Sequence, residues 1–163
     1  MLRSGIRLAG ALVFTAVGTL GPASTDASQC KQVRGHLDEV PLAACASPVG
    51  LCTVARMFGS IHGEAVFTAS TITPSGDSPL TGVVFVTGDT VIEDAKLAGH
   101  RGTIDVKNAA AFRTTGDNDL ADVQTIIGGT GNFAGATGSL RISGDFVRGV
   151  GGSSTYEGVV CLP

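Results

Sequence analysis

IIGGTGNFAGATGSL, residues 126–140, discriminates between two architectures. It joins two β-like runs through a glycine-rich bend, with Phe133 in the middle. One reading is a nucleotide loop, because Gly129 to Ala134 fits Gly-x-Gly-x-x-Ala after a strand. That motif holds a pyrophosphate only where a helix begins at its end and presents free N–H groups and a positive dipole. Residues 128–152 instead contain nine glycines, and each costs up to about 1 kcal/mol in a helix interior. No helix is expected here, and no dinucleotide site. The other reading is a corner of a closed β-barrel. Glycines permit positive φ and close backbone approach where a sheet bends. Phe133 then plugs one end of the core. Leu140 and Ile142 face inward, with Arg141, Ser143 and Asp145 outward.

The rest of the chain has the same character. After residue 28 almost no segment shows helical spacing of apolar residues. Short β-branched runs recur between Gly, Asp, Asn, Pro and Ser, the pattern of an all-β barrel or sandwich. The expected strands are 33–40, 58–72, 80–87, 90–94, 103–107, 109–115, 122–127, 139–147 and 154–162. Gly88-Asp89 is read as a hairpin turn between two of them, and residues 73–79 as a loop. In 58–72, Ile61, Ala65, Phe67 and Ala69 share one face, as in a half-buried strand. About eight antiparallel strands without covering helices must hide their edges, and closure into an eight-stranded barrel does so. An interior of that size holds packed side chains or one small ligand. A two-sheet sandwich is the alternative.

The chain has 163 residues, enough for one domain with a core. Residues 1–27 have the layout of a secretory signal peptide: Arg3 and Arg7, an apolar run from Leu8 to Leu20, then small residues up to Ala27. The run is short of the roughly 20 residues that span a bilayer. The expected mature domain is 28–163, secreted or periplasmic. Without Arg3, Arg7 and Asp26 it carries nine basic and thirteen acidic side chains, a net of −4. It has no basic stripe, which argues against nucleic acid and against anionic membrane as partners. All four cysteines lie in the domain, an even number that suggests two disulfides after export. Cys45 and Cys52 enclose a turn-rich hexapeptide, and Cys30 and Cys161 lie near the two ends. The expected pairs are therefore Cys45–Cys52 and Cys30–Cys161. No Cys-x-x-Cys pair is present, and no metal site or cofactor is expected.

Residues 128–138, with the later YEGVV at 156–160, resemble the allene oxide cyclase and dirigent barrel superfamily. There a strand ends in Gly-Gly-Thr/Ser-Gly-x-Phe and the next begins near a further glycine. SPVGLCT, residues 47–53, is similar to small exported bacterial members. The resemblance implies an eight-stranded antiparallel barrel with an apolar cavity, often in dimers or trimers. It also implies a greasy pocket that holds a flexible substrate in one reactive shape. The plant cyclases use a buried glutamate and a bound water near the first strands, and no residue here matches that motif position by position. Glu64, which is on a strand, has a parity opposite to Phe67.

Candidate chemistry is sparse. There is no Gly-x-Ser-x-Gly elbow and no His-Glu-x-x-His. His36, His62 and His100 are scattered, and His62 with Glu64 reads as a solvated strand face. Glu93 and Asp94 are adjacent and point to opposite faces. Asp94 shares parity with Ile92, which makes it the candidate cavity carboxylate, with a raised pKa suited to acid–base work. Tyr156, the only tyrosine, is expected inward with a hydroxyl that needs a partner. Arg113, Asp122, Arg141 and Asp145 are read as outward ion pairs. Asp94 and Tyr156 are thus the catalytic candidates. Phe67, Phe85, Ile92, Phe133 and Tyr156 are the expected ligand contacts.

Three functions fit: a binding barrel for a small apolar molecule, a cyclase or isomerase that shapes such a molecule, and a solid-cored structural protein. A homo-oligomer is compatible with each. Cavity volume separates them, because roughly 300 Å³ or more favours a ligand.

Overall fold

A computed structural model of the chain describes residues 29–163. The expected signal peptide lies outside the described residues. The fold is an eight-stranded antiparallel closed barrel. Its strands are β1 (Gln29–Pro41), β2 (Cys52–Gly59), β3 (His62–Pro74), β4 (Val83–Leu97), β5 (His100–Arg113), β6 (Asp119–Gly129), β7 (Thr137–Asp145) and β8 (Gly152–Leu162). Each pairs with its sequence neighbour, and β1 pairs with β8 to close the sheet. Closure leaves no edge strand to pair with another chain. Among the described residues no helix is long and apolar enough to cross a membrane.

The strand count agrees with the sequence reading through compensating differences. Residues 58–72 are two strands, because Gly59 (φ 106°) lets the chain reverse at Ser60 and Ile61. In contrast, β4 runs unbroken through Gly88-Asp89. Gly88 is there for packing: a Cβ on it would lie 2.5 Å from the Phe67 ring. Similarly, β5 runs unbroken through Lys107-Asn108. A short helical turn, Ser78–Thr81, replaces part of the expected loop.

The glycine-rich stretch is a barrel corner. One turn of 3-10 helix, Gly131–Phe133, forms where the glycine content predicts none, with Gly131 in the left-handed region (φ 59°). It is too short to present a dipole to a phosphate. It swings Phe133 over the barrel end, where it is fully buried. The inward set Leu140 and Ile142 and the outward set Arg141, Ser143 and Asp145 lie as expected.

The interior forms three layers. Phe133, Ile61, Leu97, Ile104, Leu140, Tyr156, Val160 and Leu162 belong to one large apolar cluster at the end that carries Phe133. Leu51, Val84, Val86, Phe112 and Phe146 form a smaller cluster at the opposite end. Between them lies a belt of buried polar residues: Thr53, Thr90, Asn108, Asp122, Gln124 and Ser154.

Both disulfides form. Cys30 and Cys161 face each other across the β1–β8 seam, and Cys45–Cys52 ties the β1–β2 loop to the start of β2. Two disulfides fit an oxidising environment.

Candidate functional site

The site grows from an inversion of pattern on β6. Asp122 and Gln124 point inward and are buried, whereas Val123 and Ile127 point outward and are 54% and 55% exposed. Register carries the inward polar line across the sheet. Asn108 on β5 lies opposite Gln124, and Asp122 lies opposite Ala110 on one side and Ile142 on the other.

The polar side chains bind one another. The Thr90 hydroxyl donates to Asn108 Oδ1 at 2.9 Å. Asn108 Nδ2 and Gln124 Nε2 both donate to Asp122 Oδ2, at 2.8 and 2.9 Å. On the opposite wall the Thr53 hydroxyl donates to Glu39 Oε1. Asp122 Oδ1 is buried without a hydrogen-bond partner. Leaving such an acceptor unsatisfied costs about 1–3 kcal/mol, more when it is charged.

Two carboxyls thus stand within this polar belt. Burial pushes the Glu39 carboxyl above its ordinary value. The Thr53 hydrogen bond opposes that shift, and the negative charge of Asp122 adds to it. Burial likewise pushes Asp122 up, against the hydrogen bonds from Gln124 and Asn108 and a weaker contribution from the Ala109 backbone amide. Desolvation disfavours the charged form, and a like charge nearby disfavours it further.

These groups line a cavity of about 70 Å³ at the end opposite Phe133. The wall above them is apolar: Leu51, Phe67, Val86, Phe112, Leu120 and Phe146. Phe112 and Phe146 pack edge to face, with centroids 5.4 Å apart. The rim is braced by the Cys45–Cys52 loop, in which the Ser47 hydroxyl donates to the Ala69 carbonyl at 2.7 Å and accepts from the Val49 and Leu51 amides. The volume suits a few waters or one end of a slender molecule. It is well short of the roughly 300 Å³ that a drug-sized ligand fills.

The expected site residues do not gather here. Only Phe67 lines the cavity. Phe85 points outward and is 51% exposed, because the inward set of β4 is Val84, Val86, Thr90 and Ile92. Ile92, Phe133 and Tyr156 are buried in the opposite apolar cluster and do not touch the cavity. Asp94 is exposed. A bulge between Ile92 and Ala95 shifts the parity of β4, so Ala95 takes the inward place and Asp94 (φ 47°) turns to solvent. The Tyr156 hydroxyl accepts from the Ile61 amide at 2.8 Å and donates to the Ile61 carbonyl at 3.1 Å. It pins the β2–β3 turn instead of facing a cavity, and burial pushes its pKa up. Asp122 corrects the reading of an outward ion pair. Arg113 pairs with Asp119 instead, at 3.5 Å.

Sequence reasoning missed Glu39, Asp122, Asn108 and Gln124. The mark on Asp122 pointed the wrong way: in residues 122–127 the face of Val123, Thr125 and Ile127 is the more apolar, which puts Asp122 outward. Glu39 carried no such mark. It follows Leu37 in parity, but a glutamate near a strand end is ordinarily solvated.

No protein-family model, no curated protein and no solved structure matches this chain.

Proposed function

We propose that this protein is an exported binding barrel whose cup, opposite Phe133, receives one end of a small, largely apolar molecule. The observation that carries this reading is Asp122 Oδ1, an unpartnered buried acceptor at the floor of an apolar-walled cavity. A group so placed destabilises the empty protein, and a ligand that satisfies it recovers the loss. The apolar wall supplies affinity and the polar belt supplies orientation, the usual division in small-molecule sites. Export accords with the two disulfides and with the signal-like residues 1–27.

The test is a solution titration with six-carbon probes, read by the methyl and ring resonances of the barrel. Binding shifts Phe67, Phe112 and Phe146 and leaves Phe133 unmoved. If millimolar probes perturb no cup resonance, the reading is wrong.

A second reading has its own observation. Glu39 is a half-buried glutamate on the first strand whose carboxyl pKa is raised by desolvation, and the resemblance to allene oxide cyclases implies an acid–base glutamate near the first strands. The cavity volume favours binding over cyclisation, because folding a whole polyene or fatty-acid chain needs several times about 70 Å³. The third function, a solid-cored structural protein, describes the end that holds Phe133 but leaves the polar belt without a purpose.

A further inference from the structure

We infer that the head this cup accepts is an organic cation, a primary ammonium on a slender apolar chain, and that its binding expels a proton. The inference rests on the binding reading above and specifies the chemistry of the same site.

The belt is rich in acceptors, and its hydrogen bonds converge on the carboxyls of Asp122 and Glu39. The Thr90 and Thr53 hydroxyls already donate to Asn108 and Glu39, and the Asn108 and Gln124 amides both donate to Asp122 Oδ2. Asp122 Oδ1 accepts nothing, although Asp122 is only 8% exposed and lines the cavity. The Ser154 hydroxyl, the other unpartnered buried polar group among the described residues, is not part of the cavity wall.

No positive charge lines this cavity with the two carboxyls; Arg34, Arg141 and Glu157 share a separate outer groove with Asp122. The lining comes from β1 to β7 and the loops beside β2 and β7, and it includes no Lys, Arg or His. Its titratable groups are Glu39 and Asp122 alone. Tyr156 of β8 lies opposite Ile142 but is committed to Ile61. A ligand that brings a charged donor therefore satisfies Asp122 Oδ1 and offsets the two carboxyls. An alkylammonium has three donors on a compact head and a narrow chain, which suits a cavity of about 70 Å³ beneath an aromatic rim. A carboxylate or phosphate head would place a further acidic group beside Glu39 and Asp122, where no Lys, Arg or His of the lining offsets it.

The proton balance follows from the site. Desolvation raises both carboxyls above their ordinary values, so at a pH where one is still protonated in the empty cup an arriving cation displaces that proton. One R–NH₃⁺ enters, one carboxyl O–H loses its proton to solvent, and a charge-assisted hydrogen bond forms.

The experiment is isothermal titration of the processed protein with n-hexylammonium, 1-hexanol, hexanoate and calcium chloride. Runs at pH 5 to 8 in phosphate and in Tris count protons through the buffer ionisation heat. Hexylammonium is expected to bind at least tenfold tighter than 1-hexanol, with no detectable hexanoate binding. Its affinity is expected to rise by up to tenfold per pH unit until the carboxyl is ionised, with proton release in both buffers. Asp122→Asn keeps the acceptor of the amide network and should lower hexylammonium affinity tenfold or more. Should that variant fold poorly, the wild-type pH profile and buffer heats decide the question without it. If 1-hexanol equals hexylammonium, the cation inference fails while the cup reading stands. If calcium binds in preference to hexylammonium, the carboxyls belong to a metal ion and the inference fails. If no probe binds, both readings fail.

Discussion

The two ends of this barrel share a sheet and differ in what they enclose. At one end Phe133, Ile61, Leu140, Tyr156 and Val160 fill the interior, each no more than 2% exposed. The one polar group there, the Tyr156 hydroxyl, is satisfied on both sides by Ile61. At the other end the apolar residues ring a hollow, and the polar residues beneath them include a carboxylate oxygen with no partner. Satisfied packing maximises stability, whereas an unsatisfied, partly open site gives some of it up. Sites of the second kind are where function concentrates. The close packing of the fold therefore resides at the Phe133 end and its unsatisfied polar group at the cup.

Removing the disulfides separates the two ends most strongly. Cys30–Cys161 closes a sequence span of 131 and Cys45–Cys52 one of 7. In the chain-entropy model the first contributes about 5 kcal/mol and the second about 2 kcal/mol. Denaturant unfolding of the two double-serine variants should show that order. Equal losses would mean that the seam is held by its ladder alone.

Side-chain truncation comes next. Phe133→Ala should cost about 3–5 kcal/mol, because a full cavity opens in a close-packed cluster. Phe67→Ala, at the half-filled end, should cost about 1–2 kcal/mol and enlarge the cup. Urea midpoints measure both, and a reversed order would undo the distinction between the ends. Tyr156→Phe should cost about 1–3 kcal/mol by leaving the buried Ile61 amide unpaired. A loss near zero would show that the turn finds another partner.

The smallest expected effect is a pH dependence that belongs to the cup. Glu39 and Asp122 have folded-state values above their ordinary 4.5 and 3.8. The folded state therefore binds more protons than the unfolded chain through that range. Their contribution to stability is fully present below about pH 4 and is lost as pH rises through the folded values, the reverse of a salt-bridged carboxylate. Glu39→Gln and Asp122→Asn should each flatten this decline relative to wild type. Thermal scans from pH 4 to 8 read it. Parallel profiles for wild type and variants would contradict a desolvation penalty on these carboxylates.

Much of the fold was legible in the sequence and little of the site. The corner at residues 126–140 was readable because nine glycines in residues 128–152 disfavour a long helix and leave Phe133 one place to go. The pairing Cys45–Cys52 followed from six intervening residues. Gly88 misled because glycine marks turns and also makes room for rings, and only the position of Phe67 across the sheet distinguishes the two. Asp94 misled because a bulge is a tertiary adjustment that strict alternation does not contain. Phe85 lies in a run apolar on both faces, so parity alone gave no direction. The cup escaped for a deeper reason. Glu39 and Asp122 are distant in sequence and meet only when the barrel closes, and each alone resembles an ordinary surface acid.

The most direct measurement is a titration of every carboxyl carbon by NMR in the processed protein. Glu39 and Asp122 are expected to protonate at higher pH than the other glutamates and aspartates, and n-hexylammonium to draw both back down. Two carboxyls that titrate with the exposed ones, unmoved by the amine, would contradict a polar cup built to receive a cation.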